Sequence, residues 1–277
     1  MVYQLHYLTT SLPHKMLLAL DIGNTNITAG IFDGSDLVAE WRLSTRRDRT
    51  ADELATFLKV ALDAWDFHFA DVHGVAISSV VPTLTPQAAL LSTKYFGCAP
   101  LIVGPHTDTG LINEYENPQE VGPDRLVNGL AAWHKFKTAV VIIDFGTGTT
   151  VDAVSDDGRY LGGAIAPGLQ ISADALFHAA ARLPRIELIA PERALGRNPT
   201  ASMQAGIVFG YAGLAKELIA RCMAEVSETS SPARVIATGG LAELIAPLVP
   251  AIQHIEPQLT LEGLCLIWER SRQNTGG

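Results

Sequence analysis

The sequence predicts an α/β chain of two related lobes that close on one ligand, and three observations carry that prediction. A short phrase occurs twice, about 123 residues apart: Asp21-Ile22-Gly23-Asn24-Thr25-Asn26-Ile27-Thr28 and Asp144-Phe145-Gly146-Thr147-Gly148-Thr149-Thr150-Val151. Each copy follows a short aliphatic run, 17–20 or 140–143, that reads as a buried strand, and each precedes another apolar run. Each second run ends at an acidic turn, Asp33-Gly34 or Asp157-Gly158, which is a hairpin signal. The echo therefore spans strand, turn and strand rather than one loop.

The phrase suits phosphate. Gly23 and Gly146 permit a tight turn with close backbone approach to a ligand, while Asn24, Thr25, Thr147 and Thr149 supply short hydrogen-bonding side chains. Two facing cradles offer donors on several sides, and their aspartates suit a divalent cation. There is no Gly-x-x-x-x-Gly-Lys-Ser/Thr run and no dinucleotide-type Gly-x-Gly-x-x-Gly after a strand, so the other common phosphate loops are not indicated.

Residues 27–32 and 37–42 complete a three-stranded meander with the first run. A helix follows, capped by Thr50 or Asp52, with Leu54, Phe57, Leu58, Ala61, Leu62 and Trp65 on one face; Phe57 and Trp65 are read as core. Residues 74–81 read as a strand, 85–96 as a helix and 101–103 as a strand, giving β-β-β-α-β-α-β for the first lobe. Ser78 and Ser79 either serve a turn or face a cleft at the sheet's carboxyl end. Residues 104–121 read as a polar loop containing Tyr115-Glu116-Asn117-Pro118.

The second lobe repeats the plan with strands at 140–144, 150–155 and 160–165, then a helix after Pro167-Gly168 whose face is Leu169, Ala173, Leu176 and Phe177. A stretch rich in Pro and Arg, 182–199, leads to a long helix from about Thr200 into the 220s. After a strand at 235–237, Thr238-Gly239-Gly240 either admits a nucleotide to the backbone or simply bends the chain. The expected organisation is an extension at 1–15, disordered, a first lobe at 16–120 and a second at 121–277 with a C-terminal helix, hinged near 118–124.

Gly122-Pro123-Asp124-Arg125 precedes the amphipathic run Leu126, Val127, Leu130, Ala131 and Trp133. Proline suits the first helical turn and aspartate favours its positive end, so capping alone accounts for both. The same aspartate lies between the two cradles, beside an arginine able to grip a carboxylate bidentately. Phosphoryl transfer to an alcohol needs a group that aligns the hydroxyl and takes its proton. In that reading Asp21 and Asp144 serve cations and phosphates, and Asp124 serves the acceptor. His134 and His178, on helices, read as structural or solvent-facing.

Composition narrows the classes. Of 277 residues 48% are hydrophobic and 18% charged, which fits a packed core rather than disorder. A net charge of -9, with Arg46-Arg47-Asp48-Arg49 as a lone basic cluster read as a solvated loop, argues against nucleic acid. Cys98, Cys222 and Cys265 have no metal or redox spacing. No run is long enough to span a membrane and the first 15 residues lack a secretory pattern, so a cytoplasmic location is expected.

These ordered motifs resemble the acetate and sugar kinase, heat-shock ATPase and actin superfamily, and within it the type III pantothenate kinases. The resemblance runs from about Met16 to Arg270. It rests on Asp21 to Thr25, Ser78 to Pro82, Tyr115 to Pro118, Gly122 to Arg125, Asp144 to Thr147, Gly196 to Thr200 and Ala237 to Gly240. It implies two duplicated ribonuclease-H-like lobes in an actin-like ATPase fold with a central cleft. It implies ATP-dependent phosphorylation of pantothenate to 4'-phosphopantothenate, the first step of coenzyme A biosynthesis, with Asp124 as general base.

Carried over by motif, the resemblance puts Tyr115, Gly122, Pro123, Asp124, Arg125 and Thr200 around pantothenate. It assigns Asp21, Ile22, Gly23, Asn24, Thr25, Asn26, Ile27, Thr28 and Thr147 to ATP, Asp144 to a monovalent cation (K⁺ or NH₄⁺) and Asp21 to Mg²⁺, directly or through water. It further implies a homodimer whose interface completes the pantothenate pocket. Gly148 departs from the alanine of many relatives, and residues 1–15 have no counterpart. A kinase for another small acidic or sugar alcohol, or a non-catalytic regulatory or scaffold protein of the same fold, is the alternative. Activators of radical dehydratases share the fold but need closely spaced cluster cysteines, which this chain lacks.

Overall fold

The computed structural model describes residues 16–227 and 233–275, so the expected extension at 1–15 lies outside the described residues. Strands β1 (Met16–Ile22), β2 (Asn26–Asp33) and β3 (Asp36–Ser44) form the expected meander. After α1 (Ala51–Asp63), β4 (Val72–Ser79) pairs parallel with β1; after α2 (Thr85–Leu91), β5 (Leu101–Ile102) pairs parallel with β4. The sheet order is β3-β2-β1-β4-β5. Thr50 caps α1 in a reciprocal box with Glu53, a device worth about 1 kcal/mol.

Beyond β6 (Ile112–Asn113) and α3 (Pro123–Phe136), the plan recurs as β7 (Val140–Phe145), β8 (Gly148–Val154), β9 (Arg159–Pro167), α4 (Leu169–Ala179), α5 (Pro199–Ser227), β10 (Arg234–Thr238), α6 (Ala242–Ile245), β11 (His254–Ile255) and α7 (Leu259–Thr275). The second sheet runs β11-β10-β7-β8-β9-β6. Read from the meander outward it repeats the first, with β6 added at its edge. The duplication reaches fine detail: a bulge interrupts the β2–β3 pairing between Ile31 and Phe32, and another interrupts β8–β9 between Ala153 and Val154.

Helices α3 and α7 lie between the two sheets. Residues 125–132 of α3 are all buried, because the helix has an apolar neighbour on both sides. Val127 and Leu130 join a core with Leu17, Ala19 and Leu264 below the first sheet, whereas Leu126, Ala131 and Ala132 join one with Val140, Ile142 and Tyr160 against the second. The outer faces are covered by α1 and α2 on one side and by α4, α5 and α6 on the other.

Several sequence expectations change. Residues 104–121 are not loop throughout: β6 and a short 3-10 turn at Pro118–Glu120 lie within them. The helix expected over 85–96 is α2 to Leu91 followed by a wider π turn, Ser92–Phe96, ended by Gly97. Trp65 is not core; it falls past the end of α1 and is 47% exposed, while Phe57 packs at the core's margin. Leu176 is likewise exposed, since α4 ends near the surface.

Candidate active site

Strand alternation aims the two cradle aspartates at each other. In β1, Leu18, Leu20 and Ile22 face the outer core, so Asp21 shares the inner face with Leu17 and Ala19. In β7, Val141, Ile143 and Phe145 face outward, so Asp144 shares the inner face with Val140 and Ile142. Both sit at the carboxyl ends of the sheets' central strands, and the amino end of α3 brings Asp124 between them. Asp21, Asp124 and Asp144 line one cleft of about 670 Å³, with Gly23 to Asn26, Thr28, Gly146 to Gly148 and Thr238 to Gly240.

The hairpin tips meet across this cleft. The Thr25 and Thr147 hydroxyls are hydrogen-bonded at 2.7 Å. Gly23 N–H donates to Asn26 C=O at 2.9 Å, closing the first turn, and the Thr45 hydroxyl donates to Gly23 C=O. Ile22 and Ile27, expected at ATP, have side chains in the outer core, so only their backbone can face a ligand.

Burial, and after it the Asp124 charge, push the Asp21 carboxyl up to about 7, against the pull of the Ser78 hydroxyl and the Arg42 charge. Burial and the charges of Asp124, Asp21 and Asp152 push Asp144 up to about 7 as well, opposed by Asn128. Burial also raises Asp124, opposed by the Arg125 N–H, which donates to Asp124 Oδ1 at 2.9 Å. Three carboxyls thus compete to ionise in one space, and a bound cation would relieve them. Among the described residues no group of three His, Cys, Asp or Glu side chains can hold a metal unaided. Carboxylate oxygens are the donors Mg²⁺ takes, with its remaining ligands drawn from phosphate and water, so the three aspartates of the cleft fit that ion.

Two glycines fix the carboxylates. A Cβ at Gly122 would stand 2.6 Å from Asp124 Oδ1, and one at Gly239, whose φ is +89°, would stand 2.3 Å from Asp144 Oδ1. Of the two readings of Thr238-Gly239-Gly240, the turn does border the cleft. At Gly148 a Cβ would make ordinary contact, 3.6 Å from Ala166 C=O, so an alanine would fit there.

Arg125 is already engaged. Its Nε donates to Asp152 Oδ1 at 2.8 Å, its Nη2 lies 2.7 Å from the same oxygen, and the Tyr160 hydroxyl donates there at 2.6 Å. Burial pulls the guanidinium pKa down, but Asp152 outweighs it and holds the charge. Tyr115 and Tyr160 rings each stand 5.9 Å from the guanidinium carbon. The arginine is 6% exposed and does not line the cleft; the acidic partner expected for it is an aspartate of its own chain. Thr200, in the first turn of α5, is exposed and also off the cleft.

Several residues of the site were not foreseen. The Thr260 hydroxyl donates to Asn128 Oδ1 at 2.7 Å, and Asn128 Nδ2 donates to Asp144 Oδ2 at 3.3 Å, so α7 and α3 together hold the second cradle's carboxylate. Arg42, Gln170 and Asp174 line the cleft. Asn128 stands four residues after Asp124, one helical turn along the same face, which is the one signal that could have found it.

The family model described as type III pantothenate kinase matches residues 17–221. A type III pantothenate kinase of Geobacter sulfurreducens is 49% identical over 258 residues, covering 93% of this chain and all of the relative. One from Moorella thermoacetica is 48% identical over 256 residues, covering 92% and all of the relative. Among solved structures, MreB 5 of Spiroplasma citri bound to AMPPNP matches with a TM-score of 0.53 at 10% identity, covering 94% of this chain and 98% of that one. The (R)-2-hydroxyglutaryl-CoA dehydratase component A of Acidaminococcus fermentans matches at 0.51 with 12% identity, covering 95% and 100%. These two structures bear on the fold, which is the actin-like ATPase architecture.

Proposed function

Because the chain belongs to the type III pantothenate kinase family, and so transfers phosphate from ATP to pantothenate in the first step of coenzyme A biosynthesis, we propose that Asp124 is the group that takes the proton of the pantothenate hydroxyl. The observation that carries this is the convergence of Asp21, Asp124 and Asp144 on one cleft, with Asp124 at the positive end of α3. A carboxylate raised by burial is a better base than a solvated one, and it can align the hydroxyl as bonding to phosphorus develops. Proton transfer to a positioned side chain contributes about 10²–10⁴-fold.

The remaining roles belong to the same proposal. The backbone of Asp21 to Thr28 and the hydroxyls of Thr25, Thr28 and Thr147 cradle the phosphates of ATP, as the amides of tight turns do. Asp21 serves Mg²⁺, directly or through water, and Asp144 serves a monovalent cation, K⁺ or NH₄⁺. When bound, these ions neutralise charge on the phosphates. Tyr115 and Gly122 to Arg125 form the pantothenate side, with Arg125 held rigid by Asp152. Thr200 is exposed and off its own cleft, and in this proposal the second copy of a homodimer brings it to the pocket. Residues 16–120, apart from β6, which joins the second sheet, and 121–277 act as the two lobes, and the location is cytoplasmic. No helix among the described residues is long and apolar enough to cross a membrane.

The test is ADP release with ATP, Mg²⁺ and K⁺, with and without pantothenate. Pantothenate-dependent release is expected, and its absence would overturn the reading. Replacing K⁺ by Na⁺ should lower the rate; indifference to the swap removes the monovalent ion from Asp144. Sedimentation should give a dimer, and a monomer that turns over normally removes Thr200 from the pocket.

A further inference from the structure

The two sheets repeat each other residue by residue across the cleft floor until the outer meander strand. In the first, strand pairing lines up Ser78, Asp21, Thr28 and Arg42. In the second it lines up Thr238, Asp144, Thr150 and Ile165. A hydroxyl, the cradle aspartate and a threonine are common to both rows. The fourth place is a cation in one lobe and an exposed isoleucine in the other.

A bulge, present in both meanders, sets which residue takes that place. At the hairpin end Asp33 pairs with Asp36, a register that continued unbroken would put Trp41 opposite Thr28. The extra residue at the bulge shifts the pairing by one, so Trp41 packs on the outer core and Arg42 faces the cleft. Arg42 is exposed, and no hydrogen bond or ion pair to it is found among the described residues. It is the one basic side chain among the described residues lining a cleft that also holds Asp21, Asp124, Asp144 and Asp174. It reaches over to the other lobe: a Cβ on Gly240 would lie 3.7 Å from its Nη1.

From this geometry, and resting on the kinase reading above, we infer that Arg42 binds the phosphate chain of the nucleoside triphosphate, closing the cleft mouth between β3 and the Gly239-Gly240 turn. An acidic cleft repels a polyanion unless positive charge also lies on it. The guanidinium supplies fixed charge and forked donors from the outer end of the first lobe's row, two strands away from Asp21. No hydrogen bond or ion pair among the described residues occupies those donors, although the charge acts on Asp21, so they are available without breaking a bond. The second lobe, with Ile165 in the matching place, offers no such charge, so the polyphosphate lies against the first lobe's row.

The experiment compares wild type, Arg42→Lys and Arg42→Met in the pantothenate-dependent assay, and measures ATP, ADP and adenosine binding by calorimetry. Arg42→Met should raise the KM for ATP about ten- to a hundredfold, the loss usual for a charge-assisted hydrogen bond. The KM for pantothenate should stay within about twofold, and Arg42→Lys should recover part of the loss. Affinity should fall for ATP and ADP but not for adenosine. An unchanged KM for ATP overturns the inference, as does an equal loss for adenosine, which would mean contact with the base. Since wild type is measured alongside, failure of pantothenate phosphorylation itself would count against the kinase reading instead.

Discussion

Replacing Asp144 with Asn should make the ligand-free protein more stable while it destroys activity. The folded carboxyl sits at about 7 against an ordinary 3.8. At about 1.4 kcal/mol per pH unit, that gap is worth at most about 4 kcal/mol. The side chain is only partly buried at the cleft floor, so water screens it, and about 1–2 kcal/mol is the expected gain. Because the folded state holds the proton more tightly, this stability is present below pH 3.8 and is lost as pH rises through about 7. Asparagine removes that dependence and can still accept from Asn128. In thermal melts without nucleotide, the variant should exceed wild type by roughly 2–8 °C at pH 8, at about 2–4 °C per kcal/mol, and by less at pH 5. A variant that melts lower at pH 8, or an advantage that shrinks with rising pH, would falsify the electrostatic account of this site.

Asp124→Asn should cut turnover by about 10²–10⁴-fold with ATP binding retained, read from ADP release beside calorimetry; normal turnover removes the base. Asp152→Ala should cost about 3–5 kcal/mol in urea unfolding, because it strands a buried guanidinium and the Tyr160 hydroxyl; a loss below about 1 kcal/mol would mean that water replaces the carboxylate. Gly239→Ala, forced to a φ of +89° with its Cβ on Asp144, should lose about tenfold or more in kcat/KM, and an unimpaired variant would show that the turn relaxes freely.

Much of this site is legible in the sequence because its key signals are local. Asp21 and Asp144 each end an apolar strand, Gly23 and Gly146 follow at fixed offsets, and alternation alone puts both aspartates on one kind of face. Thr50 with Glu53 marks the start of α1 for the same reason. What escaped depends on pairing. Arg42 faces the cleft only because a bulge shifts β3 by one residue, and nothing in 37–42 announces it. Asp152 reads as an ordinary polar position within a strand until Arg125, 27 residues earlier, is found folded against it. Trp65 continued the apolar face of α1 on paper, but the helix ends at Asp63 and leaves it outside.

The placement of α7 has a consequence for how the chain is made. Leu261, Leu264, Cys265 and Ile267 complete the core under Leu17 and Ala19, so the first sheet waits for residues more than two hundred positions later in the chain before its inner face is dry. At about 5–20 residues per second, the span from Ala19 to Leu261 keeps that face wet for roughly 12–50 s of synthesis. A ribosome stalled ahead of Leu259 would therefore leave the inner face of the first sheet without the side chains of α7 that cover it.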